Sequence, residues 1–347
     1  MDNTLLNITQ ADRDIANRIT EIYADFKVKI GELIAVRKGL RVTRFEFLIT
    51  PDTKLNKITM LRDDISLMLS VPKVRIICPI PNKTAFGIEI PNTTEEFLNF
   101  NEIFSSKEAT DTNAILPLPL GKSFDNEVVL LDLSKAPSLL IGGQAYSGKT
   151  NLIKGMITSL INNTRYNTKL ILITDKAKEL EAFSNSSCLL RPIITDSALA
   201  LESLRELLAE CQNRQKLFSE KFVKNIDAYN NIAENPLYRI VAVIDEFSFV
   251  LNHEPRDFEY LVSSLAQVGR AYGIHIILST NNLSAKNITG IIKANIPTRI
   301  AFRTENVMGS RTVIDCADAE CLLSKGDMLF CSMLNKPQRI QAPLFGD

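Results

Sequence analysis

The chain has 347 residues, of which 45% are hydrophobic and 23% are charged. These proportions are those of an ordinary globular protein, and the length exceeds what a single hydrophobic core usually serves, so we expect two domains. Lys and Arg together number 40, as do Asp and Glu, and this balance excludes a strongly basic or acidic protein while leaving room for a locally basic groove.

Cysteine and histidine usage argues against a metal centre built from these residues. The six cysteines and two histidines form no C-x-x-C pair and no mixed cluster, so a zinc site is not expected. Unpaired cysteines favour a reducing compartment, and the N-terminus lacks the pattern of a signal peptide. No stretch approaches the roughly twenty apolar residues of a membrane span. We therefore expect a cytoplasmic protein with no membrane segment.

Residues 1–115 are predicted to form a small α+β domain. Apolar residues at helical spacing predict one helix over 9–35 and another over 58–69. Alternating apolar and polar residues predict a strand over 40–49, and two further strands are expected over 74–78 and 85–90. The polar residues 93–113 are expected to connect this domain to the next.

Residues 116–347 are predicted to form an α/β domain with a central, mostly parallel sheet. Runs at 116–121 and 127–132 lead to a short buried strand at 137–142. Continuous apolar runs are typical of parallel strands because both faces of such a sheet are buried; they occur at 169–174, 239–244, 274–279 and 299–302. Helices are expected between them, the alternation of an α/β fold, over 151–161, 197–222 and 258–270.

A phosphate-binding loop is predicted between the strand at 137–142 and the helix at 151–161. The pattern G-x-x-x-x-G-K-[ST] is matched by Gly143, Gln144, Ala145, Tyr146, Ser147, Gly148, Lys149 and Thr150. In this context backbone N–H groups and the helix N-terminus hold a phosphate. Lys149 would contact the β- and γ-phosphates, and the Thr150 hydroxyl would be a ligand of Mg²⁺.

Two acids, Asp245 and Glu246, end the apolar run that begins at 239. In the functional interpretation Asp245 holds Mg²⁺ through water, and Glu246 orients and activates the water that attacks the γ-phosphate. The alternative is a turn with exposed acids, but the phosphate loop upstream favours the first interpretation. The residues alone therefore predict an Mg²⁺-dependent NTPase without saying what hydrolysis drives.

Asn281 and the segment 286–311 each allow a functional and a structural interpretation. Asn281 follows the run 274–279, where it would sense the γ-phosphate or position water, although an Asn-Asn pair also forms turns. Residues 286–311 carry five basic residues and one acid. This segment would line a phosphate-rich ligand or form a solvated face, which is the commoner case.

Taken together, the motifs show a wider resemblance. From 16 to 344 the chain resembles the motor region of the FtsK/SpoIIIE family of double-stranded DNA translocases. Several motifs match in the same order along the chain, which makes coincidence negligible. The matching stretches are 41–46, 87–92, 137–159, 175–180, 214–217, 225–230, 243–247, 270–275, 291–299, 310–312 and 326–328.

The resemblance implies a RecA-like P-loop ATPase domain at 116–347 and the family's α domain at 1–115. It implies a hexameric ring of identical subunits with double-stranded DNA in its pore and ATP and Mg²⁺ at subunit interfaces. Arg270 matches the arginine finger that reaches a neighbour's ATP. The alternative is an ordinary arginine at a helix C-terminus, where its positive charge interacts favourably with the helix dipole. Lys293 and Arg311 match positions that touch the DNA backbone. The expected catalytic set is Lys149, Glu246, Arg270 and Asn281.

The chain also departs from the family pattern. Tyr146 occupies a loop position where the family usually has Gly, so its side chain must point outward or the loop must change shape. Asn281 and Asn282 replace Gln and Arg, and Val307 stands where a DNA-contacting Lys is common. We predict an ATP-driven translocase with sequence-neutral DNA binding. The alternatives are a superfamily ATPase that serves conjugation or protein export, and a nucleotide-binding scaffold with weak hydrolysis.

Overall fold

The structure is a computed structural model that describes residues 8–163, 167–332 and 336–346. It divides into two compact units. The first comprises Met1–Phe97 with Phe124–Asn126, and the second comprises Leu98–Ser123 with Glu127–Asp347.

The first unit packs helices against a four-stranded antiparallel sheet of order β1-β2-β4-β3, counted over the described residues. Its elements are α1 (Gln10–Asp25), β1 (Leu33–Lys38), β2 (Val42–Leu48), α2 (Leu55–Met60), α3 (Arg62–Met68), β3 (Arg75–Ile77) and β4 (Ala85–Pro91). The apolar stripe of α1 fills the core, where Ile19 and Ile22 are fully buried in one cluster with Phe45 and Phe86. The predicted α+β character of this region is thus present.

Two predicted helices of the first unit need correction. The helix expected over 9–35 ends at Asp25, and Leu33 already begins β1. The chain turns at Lys27, which has a φ of 58°, and Gly31 then lies so close to Leu48 that a Cβ on Gly31 would come within 2.6 Å of the Leu48 Cβ. The helix expected over 58–69 is divided at Leu61 into α2 and α3.

The division between the units lies before the boundary expected at 115. The segment expected to be a connection carries two short helices, α4 (Phe100–Phe104) and α5 (Lys107–Thr110). The Phe100 ring packs edge-on against Phe345 with a centroid distance of 5.2 Å, and it lies against Gly155. Because these contacts are to the second unit, the connecting segment belongs there.

The second unit is built on a nine-stranded sheet, counted over the described residues, of order β6-β5-β13-β12-β11-β7-β10-β9-β8. Its strands are β5 (Pro117–Ser123), β6 (Val128–Asp132), β7 (Ser138–Gly142), β8 (Thr168–Thr174), β9 (Arg239–Asp245), β10 (Ile274–Thr280), β11 (Thr298–Phe302), β12 (Asp327–Cys331) and β13 (Gln338–Gln341). The strands from β11 to β8 pair in parallel, and the others extend the sheet in antiparallel fashion. The parallel strands are those that the apolar runs predicted, whereas β12 and β13 were not expected.

Helices cover both faces of this sheet. They are α6 (Lys149–Asn162), α7 (Ala177–Leu180), α8 (Ser197–Glu220), α9 (Ile226–Asn230), α10 (Ser248–Leu251), α11 (Pro255–Tyr272), α12 (Gly290–Asn295) and α13 (Val307–Ile314). Alternate residues of β7 enter different cores, since Leu139 clusters with Leu152 of α6 while Leu140 clusters with Leu204 of α8 and Leu265 of α11. Burial on both faces explains why the strand sequences are continuously apolar.

The parallel register brings several loops to one edge of the sheet. Thr280 at the end of β10 pairs with Gly142 at the end of β7, and Thr174 at the end of β8 pairs with Asp245 at the end of β9. The carboxyl ends of parallel strands are where α/β sheets bind their ligands. Within the described residues, no helix is both long enough and apolar enough to cross a membrane.

Candidate nucleotide-binding site

The loop Gly143–Thr150 leaves β7 and enters α6, as its motif predicts. Gly148 forms the N-cap of α6 with a φ of +114°, and a Cβ at this position would come 2.6 Å from the backbone nitrogen of Gly326. The Gly326 N–H donates to the Ser147 carbonyl at 2.8 Å, and the Gln144 N–H donates to the Arg303 carbonyl at 2.9 Å. The loop is therefore held in shape by residues near β11 and β12, far along the chain.

Lys149 lies beneath the loop. Only 6% of its surface is exposed, and its Nζ donates to the carbonyls of Gly143 at 2.7 Å and Gln144 at 2.8 Å. Burial lowers the pKa of Lys149 to about 8, while the charges of Asp245 and Glu246 pull the other way. An anion bound in the loop would favour the charged ammonium.

Tyr146 points away from the protein, as its size requires. It has a φ of 59°, and 97% of its surface is exposed. This left-handed conformation costs an L-residue about 1–2 kcal/mol. The loop thus keeps its shape with a tyrosine at this position, at the expense of local backbone strain.

Asp245 ends β9 in a mostly buried position, 7% exposed. Burial raises the pKa of Asp245 to about 6, while the positive charge of Lys149 opposes the shift. Glu179 is a further neighbour that sequence reasoning did not single out, and its Oε2 accepts a hydrogen bond from the Thr150 Oγ1 at 3.2 Å. The motif at 175–180 contained Glu179, but its pattern alone assigned it no role.

These oxygen atoms fit a magnesium ion. The Thr150 hydroxyl and the Asp245 carboxylate are hard ligands of the kind that Mg²⁺ prefers, and Mg²⁺ otherwise keeps waters and substrate phosphates. In the described parts of the chain no cluster of three or more His, Cys, Asp or Glu residues has the arrangement to hold a metal by itself. The residues therefore suit an ion that is shared with a phosphate ligand.

Glu246 is oriented by the end of β10. Its backbone has a φ of 57°, its Oε1 accepts from the Thr280 hydroxyl at 2.6 Å, and its Oε2 accepts from the Asn281 N–H at 2.7 Å. Each carboxylate oxygen has a second lone pair, so both remain able to accept a hydrogen bond from water. Two donors thus fix the carboxylate without consuming its capacity as a base.

Asn281 contacts Glu246 through its backbone, and its side chain is exposed. It lines a cavity of about 460 Å³ together with Gln144 of the phosphate loop and Asn306. Asn281 therefore lies next to the loop. The role predicted for its side chain stays a prediction.

Arg270 lies at the other edge of the sheet. It is an exposed residue in the last turn of α11, immediately before the amino end of β10. The phosphate loop lies beyond the carboxyl end of β10, and the seven residues of that strand span roughly 20 Å at about 3.3 Å each. The structure therefore separates Arg270 from the site in its own chain.

Lys293 and Arg311 are neighbours on α12 and α13, since the Lys293 Nζ donates to the Arg311 carbonyl at 3.2 Å. The two positive charges differ in whether they are already paired with an acidic residue. Lys293 forms an ion pair with Asp315, which also pairs with Arg299. Arg311 is exposed, and its side chain makes no hydrogen bond or ion pair with the residues that the structure describes.

Comparison with known proteins gives two family matches. The profile of the FtsK/SpoIIIE family matches residues 99–285, and that of the FtsK alpha domain matches residues 5–92. The two matches fall in the two compact units.

Curated relatives align over almost the whole chain. The DNA translocase FtsK of Treponema pallidum (strain Nichols) is 37% identical over 98% of this chain and 43% of its own length. The DNA translocase SpoIIIE of Bacillus subtilis (strain 168) is 36% identical over 97% of this chain and 45% of its own length. The chain therefore spans a little under half of each of these relatives.

Solved structures show the same fold at low identity. The pCW3 conjugation coupling protein TcpA, a monomer form with ATPgS, has a TM-score of 0.67 and 22% identity, and the match covers 96% of both chains. The cytoplasmic domain of the Thermomonospora curvata type VII secretion ATPase EccC has a TM-score of 0.59 and 21% identity, covering 72% of this chain and 32% of that one. Both likenesses support the P-loop ATPase fold.

Proposed function

Because the chain belongs to the FtsK/SpoIIIE family, we propose that it is an ATP-hydrolysing motor that moves double-stranded DNA as a ring of six identical subunits. One observation carries the proposal. The phosphate loop, Asp245 and an oriented Glu246 meet at one edge of the sheet, whereas Arg270 is exposed at the opposite edge. Such a chain holds most of an ATPase site and presents its missing arginine outward.

Within one subunit the residues divide the work of phosphoryl transfer. The loop N–H groups and Lys149 hold the phosphates, while Thr150 and Asp245 would hold Mg²⁺. Magnesium, when bound, offsets the negative charge that develops on the phosphates. Glu246 orients the attacking water and receives its proton, because its carboxylate is fixed by two donors and keeps free lone pairs.

A second copy of the chain supplies Arg270. An arginine finger given by a neighbour stabilises the charge of the transition state and raises the rate by roughly 10³–10⁵-fold. The separation from its own loop and the exposed position both suit action in trans. Repeated head-to-tail contacts of this kind close into a ring when the rotation from one subunit to the next returns to the first.

Lys293 and Arg311 form the proposed DNA contact. Phosphate contacts carry no sequence information, so binding would be sequence-neutral and sensitive to salt. In the free protein Asp315 offsets the charge of Lys293. DNA phosphates would compete with Asp315 for that ammonium, while Arg311 is available from the start.

The first test measures ATP hydrolysis with increasing linear duplex DNA, at several salt concentrations, with the oligomeric state read on the same sample. We expect DNA to increase the rate and hexamers to form. A rate of ATP hydrolysis that does not change when DNA is added would contradict the proposal. Stimulation by a polypeptide substrate instead would favour an export function, and nucleotide binding without phosphate release would favour a scaffold.

The second test asks whether the site is shared between subunits. Lys149→Ala and Arg270→Ala should each abolish turnover when alone. In a 1:1 mixture activity should return to at most about a quarter of wild type, since that fraction of random interfaces joins an intact Lys149 to an intact Arg270. Arg256→Ala is the matched control because Arg256 is an exposed arginine on the same helix. A mixture as inactive as its components would contradict action in trans.

A further inference from the structure

A chain of buried hydrogen bonds leads away from Glu246. The Asn287 amide Nδ2 donates to the Ser248 Oγ at 2.8 Å, the Ser248 and Thr280 hydroxyls are 2.8 Å apart, and the Thr280 hydroxyl donates to Glu246 at 2.6 Å. Asn287, Ser248 and Thr280 are 3%, 7% and 0% exposed. Most buried polar side chains in folded proteins have a hydrogen-bond partner, and these three each have one.

The direction of every bond in this chain follows from the carboxylate. An ionised Glu246 can only accept, so the single proton of the Thr280 hydroxyl points to it. The Thr280 oxygen must then accept from Ser248, and it also accepts from the Asn282 N–H at 3.0 Å. Because the Ser248 proton is thereby used, Ser248 accepts from Asn287. The amide of Asn287 thus sets the orientation of two hydroxyls and polarises them toward the glutamate.

Asn287 lies in the segment that leads from β10 to α12. This segment is a compact turn, since the N–H groups of Asn287 and Ile288 both donate to the Ser284 carbonyl at 3.0 and 2.9 Å. Ile288 is 2% exposed and Ile292 of α12 is fully buried, so turn and helix are anchored in one core cluster. A shift of α12, which carries Lys293, would therefore move Asn287 as well.

We propose that Asn287 is a positioning residue that holds Glu246 through Ser248 and Thr280, and that it transmits displacement of α12 to the glutamate. The second half of the inference rests on the proposed function, because it takes the Lys293 surface as the DNA contact. When DNA phosphates draw Lys293 from Asp315, α12 shifts and the hydrogen-bonded chain resets the carboxylate. DNA binding and water activation are thereby linked through four side chains.

The test replaces single residues of this hydrogen-bonded series and follows ATP hydrolysis with and without duplex DNA. Asn287→Leu removes the amide at similar size, and Ser248→Ala removes the hydroxyl with a smaller change in packing. For each we expect the DNA-stimulated kcat to fall about tenfold, with KM for ATP and the DNA affinity within about twofold of wild type. The double variant should be no slower than Asn287→Leu alone, since both changes break one chain.

Asn295→Leu is the matched control. Asn295 lies on α12, and its amide oxygen accepts from Gln267 near the surface, outside the chain. It should keep the wild-type DNA-stimulated kcat, and thermal unfolding should confirm that all variants fold. The inference is overturned if Asn287→Leu and Ser248→Ala keep the wild-type DNA-stimulated kcat, if Asn295→Leu lowers it equally, or if KM rises in parallel with the fall in kcat.

A separate outcome distinguishes the two proposals. A wild-type enzyme whose rate does not respond to DNA would overturn the proposed function and the transmission step together. The positioning role is then decided by basal turnover. A tenfold lower basal kcat in both variants would support it, and an unchanged basal kcat would overturn it.

Discussion

Replacing Tyr146 with glycine tests whether the phosphate loop stores backbone strain. Tyr146 has a φ of 59° and is 97% exposed, so the substitution removes little packing. The left-handed conformation costs a tyrosine about 1–2 kcal/mol, whereas glycine avoids that cost but adds about 0.5–1 kcal/mol of backbone entropy to the unfolded chain. With each contribution at the middle of its range, the net expectation is a gain of about 0.75 kcal/mol in the free energy of unfolding.

The assay is thermal unfolding of wild type, Tyr146→Gly and Tyr146→Ala. In a unit of this size 1 kcal/mol shifts Tm by about 2–4 °C, so we expect Tyr146→Gly to unfold about 1–4 °C higher than wild type. Tyr146→Ala keeps a Cβ and therefore the strain, so it should unfold near the wild-type temperature. The difference between the two variants isolates the backbone contribution from loss of the ring.

A Tyr146→Gly protein that unfolds no higher than Tyr146→Ala would refute the reasoning, because it would show that position 146 is not strained. Nucleotide affinity is a second measurement on the same samples. We expect Tyr146→Gly to bind an ATP analogue at least as tightly as wild type, since the exposed ring makes no hydrogen bond with the residues that the structure describes. Weaker binding would mean that the ring itself contacts the nucleotide.

Three further predictions concern buried charges and the DNA surface. Burial raises the pKa of Asp245 to about 6, so the folded protein keeps a proton on this carboxyl at pH values where the unfolded chain has released it. The free energy of unfolding therefore falls as pH rises through about 6. Asp245→Asn should raise the free energy of unfolding in urea by on the order of 3 kcal/mol at pH 8 and abolish hydrolysis; an equal gain at pH 4 would contradict this. Arg339→Ala should lower the free energy of unfolding in urea by about 3–5 kcal/mol, because it leaves the buried Asp327 carboxylate without its 2.6 Å ion pair; a loss below 1 kcal/mol would contradict it. Arg311→Ala should reduce the slope of log DNA affinity against log salt by about one, and Lys293→Ala by less, because the Lys293 ammonium is already ion-paired; equal reductions in a salt titration would exclude the difference.

Features of the second unit that depend on local pattern were predictable. The four continuous apolar runs form β8 to β11, because a strand that is apolar on both faces is stable in a sheet that is covered on both faces. The phosphate loop also followed from local chemistry, since glycine at 148 and lysine at 149 serve a turn that leads straight into α6. By contrast, β13 contains Ile340 as its single apolar residue. Its place in the sheet depends on pairing with β12 and β5, which no short window reveals.

Sequence by itself determined that this chain carries the phosphate-loop motif, an acidic pair at a strand end and the family's order of motifs. Tertiary structure decided which residues lie beside them. Glu179 reaches Thr150 from 29 positions away, Asn287 reaches Ser248 from 39 positions away, and Arg270 is set apart from its own loop by the length of β10. The physical reason is that a motif depends on residues that are adjacent in sequence, whereas a hydrogen bond depends on residues that are adjacent in space. The strand order of the sheet determines which distant residues become adjacent in space.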